Sequence, residues 1–143
     1  MNKIRVEQKI NAPVSQVFPL FVKHSTFNIL LWPIQSKIIK FSKDLDNPDG
    51  VGSIRKMGIG PIKFIKEEII SIVPHKRVEY KMIRNTLFSD HLGVLEFYEN
   101  KGKTLLVYTI HLDSKIPLLA TITLIQLRTS IVFGLKKISK KFN

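Results

Sequence analysis

The chain has 143 residues, 44% of them hydrophobic, which suits one domain with a substantial core, residues 1–143, and is too short for two ordinary ones. It has no cysteine, which excludes a disulfide framework, a thiolate nucleophile and cysteine-based zinc sites and suits a cytoplasmic setting. Its net charge of +12, from 23 Lys and Arg against 11 Asp and Glu, bears on association and not on fold. The charge is read first as solubility, then as attraction to anionic lipid, and last as nucleic-acid binding, for which no recognition motif is present.

In chain order, Ile4, Val6, Gln8 and Ile10 alternate with Arg5, Glu7, Lys9 and Asn11, the period-two pattern of a half-buried strand. This charged opening has no apolar signal core, so no secretory signal is expected. Asn11-Ala12-Pro13 ends the strand, with Asn11 as a candidate cap, and Val14, Val17, Phe18 and Phe21 recur at helical spacing. A short helical segment beginning near Ser25 closes at Trp32-Pro33. Strands are expected at 35–41, 51–57 and 62–73, separated by the turn signals Asp44 to Gly50 and Gly58-Ile59-Gly60-Pro61. Val78, Tyr80 and Met82 alternate with Arg77, Glu79 and Lys81 in a further strand.

The next hairpin tests its own register. With Lys101 and Gly102 at the tip, His91, Gly93, Leu95 and Phe97 lie opposite Leu112, Ile110, Tyr108 and Leu106, and both strands put their apolar set on one face. From Ile116 to about Phe142 the chain reads as one helix of roughly 40 Å, apolar over more than a single stripe. It is about as long as a membrane span, but Arg128, Gln126 and three threonines argue against one. Lys136, Lys137, Lys140 and Lys141 gather at its end, where cations meet the negative end of the helix dipole.

The segment Asn11-Ala12-Pro13-Val14-Ser15-Gln16-Val17-Phe18, then Leu31-Trp32-Pro33, Asp49-Gly50-Val51-Gly52-Ser53, the strand from Glu67-Glu68-Ile69 to Pro74, Asp90-His91-Leu92-Gly93 and the closing helix resemble the START-like (SRPBCC) superfamily, in its polyketide cyclase/dehydrase-like branch. The resemblance covers nearly the whole chain. It implies an α+β helix-grip fold, in which a curved antiparallel sheet wraps a long C-terminal helix and two short helices close one end of an apolar cavity. It also implies binding or transport of a hydrophobic molecule or lipid, and no universal catalytic motif comes with it.

The candidate cavity residues are Trp32, Arg55, Tyr80, Met82, His91, Leu95, Tyr108, Ile110 and Ile122. His91, expected to point inward, is either a core histidine bonded to backbone or water, or a general base. Tyr80 and Tyr108 fall on apolar faces, as core residues or as hydrogen-bonding contacts to a ligand. Arg55 is expected in solvent, with pairing to a ligand carboxylate as the alternative. Glu67 lies in parity with Ile69 and Val73 and Glu68 with Ile70 and Ile72, so the pattern offers either one to the cavity, and a single bulge in their strand would reverse the parity. Gly58-x-Gly60 is rejected as a nucleotide loop, since Pro61 and a strand follow it. The four histidines lack metal-ligand spacing, no Ser-x-Gly elbow is present, and no cofactor or metal is expected.

The reading is a binding protein for a hydrophobic small molecule, with contact to an anionic membrane at the cavity entrance left open. Two alternatives stand beside it. One is a cyclase or dehydratase with His91 as base and a tyrosine donating to a developing enolate; the other is an interaction module such as a chaperone activator.

Overall fold

The computed structural model describes residues 2–143, the side chains of Lys63 and Phe64 excepted. Seven strands form one antiparallel sheet: β1 (Asn2–Ile10), β2 (Gln35–Lys40), β3 (Ile54–Ile59), β4 (Ile62–Val73), β5 (Arg77–Met82), β6 (Asp90–Asn100) and β7 (Lys103–Asp113), in the spatial order β1-β7-β6-β5-β4-β3-β2. Two short helices, α1 (Val14–Phe21) and α2 (His24–Leu30), leave β1, and the long α3 (Leu119–Ser139) ends in a 3-10 turn, Lys140–Phe142. The sheet grips α3 against its apolar face, which is the helix-grip architecture.

The β6–β7 register is the one the alternation predicts, with His91 opposite Leu112, Gly93 opposite Ile110, Leu95 opposite Tyr108 and Phe97 opposite Leu106. A one-residue slip would turn this apolar set to solvent, so burial locks the pairing. The long helix begins three residues later than its apolar run, at Leu119, after Leu118 in a left-handed conformation (φ 65°). Of the described helices, α3 alone is long and apolar enough to cross a membrane. Its Ala120, Leu124, Leu127, Ile131, Gly134, Leu135 and Ile138 are buried in the core. Gly134 allows α3 to approach α2 closely, since a Cβ there would come 2.9 Å from the Leu30 Cα.

Other boundaries depart from the sequence reading for local reasons. Asn11 does not cap α1; Pro13 occupies the cap position and the Glu99 carboxylate accepts the Val14 N–H at 2.7 Å. This cap comes from β6, 85 residues away, and the anion also suits the positive end of the helix dipole. In the same way Asp49 accepts the His24 N–H at 2.8 Å, which ties the 44–50 turn to α2. β3 runs on through Gly58 to Ile59, so the reversal is a two-residue turn at Gly60 (φ 59°) and Pro61.

β4 contains the bulge that decides which glutamate points inward. Ile69 pairs with Tyr80 and Ser71 with Glu79, which leaves Ile70 as the extra residue. Ile65, Glu67 and Ile69 therefore face the core while Ile70 is exposed. Past the bulge the parity reverses, and Ile72 packs on the core opposite Val78.

Candidate functional site

Between the sheet and α3 lies a cavity of about 580 Å³. Met57, Ile65, Tyr80, Met82, Ile110 and Leu112 supply its floor from β3, β4, β5 and β7, and Leu119, Ile122, Thr123, Gln126 and Leu127 line it from α3. Leu31 and Ile34 close one side and Leu87 and Phe88 of the β5–β6 loop another. Alternation explains most of the floor: Ile65 and Glu67 on β4, Tyr80 and Met82 on β5, and Ile110 and Leu112 on β7 are each two residues apart, while β3 turns Met57, Gly58 and Ile59 to the cavity at a break in its register. The volume falls within the range of roughly 300–1,000 Å³ typical of small-molecule sites.

Glu67 and His91 make one part of the wall polar, with Arg55 behind them. Arg55 on β3 and Glu67 on β4 are directly paired across the sheet, and each side chain is only 4% exposed. Arg55 donates to Glu67 Oε1 from Nε at 3.1 Å and from an Nη at 2.9 Å. Its guanidinium lies against two rings set edge to face, 3.9 Å from the Phe27 centroid and 4.7 Å from that of Tyr80. On the other side of the carboxylate, His91 Nε2 lies 3.4 Å from Glu67 Oε2. The Met82 N–H donates to His91 Nδ1 at 3.0 Å. That bond needs a lone pair on Nδ1, which assigns the imidazole proton to Nε2, facing Glu67. Burial holds the His91 pKa below its ordinary 6.5, opposed in part by the Glu67 carboxylate. The histidine is therefore neutral near pH 7, with its one lone pair committed to the backbone.

Tyr80 and Tyr108 are fully buried and their hydroxyls hydrogen-bond to each other. Burial raises both phenol pKa values. Tyr80 can occupy this place only because residue 93 has no side chain: a Cβ at Gly93 would come 2.1 Å from the Tyr80 ring.

Of the nine residues singled out from sequence, Tyr80, Met82, His91, Ile110 and Ile122 line the cavity. The other four sit elsewhere. Leu95 and Tyr108 are wholly buried in the core, where neighbouring side chains cover them. Trp32 is 65% exposed and lines a separate groove between α2 and α3. Arg55, expected in solvent, is buried, because its cross-strand partner Glu67 lies on the concave face and neutralises it. Its neighbour Lys56 takes the outward position. Glu67, which sequence parity could not separate from Glu68, contributes to the cavity wall. Two of the residues missed on α3 had a usable signal in their spacing from Ile122: Leu119, three before it, and Gln126, four after it, share its side of a helix.

No family model matches the chain, and no curated protein matches it. Solved structures do. A protein from Nitrosospira multiformis superposes over 99% of this chain and 97% of its own, with TM-score 0.73 at 14% identity. Ara h 8.0201 covers 98% of each chain with TM-score 0.68 at 13% identity. A protein from Thermus thermophilus covers 98% of this chain and 95% of its own, with TM-score 0.66 at 18% identity. At these identities the likeness establishes the fold alone. Fold and cavity together define a helix-grip protein, a curved antiparallel sheet closed on a long C-terminal helix around an internal cavity.

Proposed function

We propose that this protein binds, and in doing so can carry, a hydrophobic small molecule or lipid within the α3 cavity. The observation that carries the reading is the cavity of about 580 Å³, apolar over most of its wall, with the polar groups Glu67 and His91 gathered at one place. Each CH₂ moved from water into such a cavity contributes about 0.8 kcal/mol, so an alkyl chain of about twelve carbons gains roughly 10 kcal/mol before ordering costs. The polar group of the ligand then follows from the wall. Glu67 is an acceptor on the cavity wall: its counter-charge, Arg55, engages Oε1, and His91 Nε2 lies 3.4 Å from Oε2. A hydroxyl or amine donor suits that oxygen, whereas a fatty-acid carboxylate would meet like charge.

Membership of the polyketide cyclase/dehydrase-like branch, and a cytoplasmic location, belong to the same proposal and rest on the motifs from Asn11 to Gly93 and on composition. The geometry favours binding over proton abstraction by His91, because Nδ1 accepts from the backbone and Nε2 carries the proton.

Native mass spectrometry of gently purified protein, followed by solvent extraction, tests the reading. A stoichiometric hydrophobic compound, or thermal stabilisation by 1-hexadecanol in preference to palmitate, is expected. Empty protein that no lipid or polyketide stabilises would sink the proposal and favour an interaction module.

A further inference from the structure

We propose that the outer face of α3, with Trp32 beside it, docks the protein on an anionic lipid bilayer. α3 is apolar on two sides, and the core uses only one. Leu124, Leu127, Ile131, Leu135 and Ile138 are buried. On the opposite side Ile122, Ile125 and Phe133 are 61%, 63% and 71% exposed, and Leu118, just before the helix, is 71% exposed. At 3.6 residues per turn the three helical residues fall on one stripe, and Thr129, between them, and Lys136, beyond Phe133, continue it. Trp32 adjoins the stripe: Ser130 on α3 donates to the Trp32 carbonyl at 2.5 Å, and Trp32, Phe133 and Lys137 line a common groove. An exposed tryptophan beside a long apolar stripe suits the boundary between headgroups and acyl chains.

Charge selects the bilayer over a protein partner. From residue 114 to the end of the chain there are Lys115, Arg128, Lys136, Lys137, Lys140 and Lys141, and not one Asp or Glu. An acid-free run of this kind complements a continuous anionic surface, each cation near it adding to the attraction. The stripe also meets the cavity. Ile122 belongs to both, and Ile59 and Ile62 of the β3–β4 turn, 63% and 65% exposed, line the same opening. Docking itself stands without the ligand-binding reading; only passage of a ligand from bilayer to cavity, shielded from water, rests on it.

Trp32 is the single tryptophan, so its fluorescence reports this face alone. With phosphatidylcholine vesicles containing phosphatidylglycerol, the full chain should co-sediment and its emission should shift to the blue. Vesicles of phosphatidylcholine alone should bind about tenfold more weakly. I125S/F133S alters two exposed side chains and leaves the core intact, and should lose about tenfold in partitioning; K136E/K140E should lose only the preference for phosphatidylglycerol. No blue shift with phosphatidylglycerol vesicles, or unchanged binding by I125S/F133S, would overturn the proposal. So would a dimer in sedimentation velocity that I125S/F133S dissolves, since a second copy would then cover the face. Ile65→Trp, which fills the cavity, separates the two readings: docking should persist when ligand binding is lost.

Discussion

Replacing Arg55 by Met leaves the Glu67 carboxylate buried without its cation, and the cost can be worked from the contacts. Two hydrogen bonds to Oε1 disappear, at 3.1 and 2.9 Å, together with the stacking on Phe27 and Tyr80. Breaking a buried pair by removing one partner costs about 3–5 kcal/mol. At a urea m-value of about 2 kcal/mol/M this lowers the unfolding midpoint by about 1.5–2.5 M. Glu67→Gln alone should cost less, because an amide oxygen still accepts from Arg55 while the guanidinium loses its counter-charge. In R55M/E67Q the uncompensated charges are gone, and stability should recover most of the loss seen in R55M. Urea unfolding of the four proteins, followed by far-UV circular dichroism, gives the coupling energy directly. Additive effects, or a loss below about 1 kcal/mol in R55M, would refute the account, for the pair would then be behaving as an exposed one.

The other expectations concern packing, titration and the cavity. Gly93→Ala drives a methyl into the Tyr80 ring, 2.1 Å from its nearest atom, and should cost at least about 1–3 kcal/mol in thermal or urea unfolding. A wild-type-like melt would mean that Tyr80 moves freely. His24 and His91 both have pKa values lowered by burial from 6.5. The unfolded chain therefore binds more protons than the folded one below that value, so this contribution is present above pH 6.5 and is lost as the pH falls. Denaturation across that window should show the fall, and His91→Gln should flatten it; an unchanged slope would exclude His91 as a source. Ile65→Trp fills part of the 580 Å³ cavity and should abolish stabilisation by 1-hexadecanol while the protein stays folded, as checked by circular dichroism.

Much of the architecture was legible along the chain because burial on one face imposes a period. The alternation in β1, β5, β6 and β7, and the one-to-one register from His91–Leu112 to Phe97–Leu106, follow from local pattern and a tight turn. The same logic placed Tyr80, Met82, His91 and Ile110 on the inner face. Parity failed where the backbone left its period. The extra residue at Ile70 chose Glu67 over Glu68, and no propensity along β4 announces it. Burial of Arg55 was equally invisible, since an arginine reads as solvent-exposed until its cross-strand carboxylate and the two rings it lies against are assembled in space. Tertiary structure alone also divided the apolar surface of α3 between core, cavity and exterior, because a helix apolar on several sides has no pattern that ranks them.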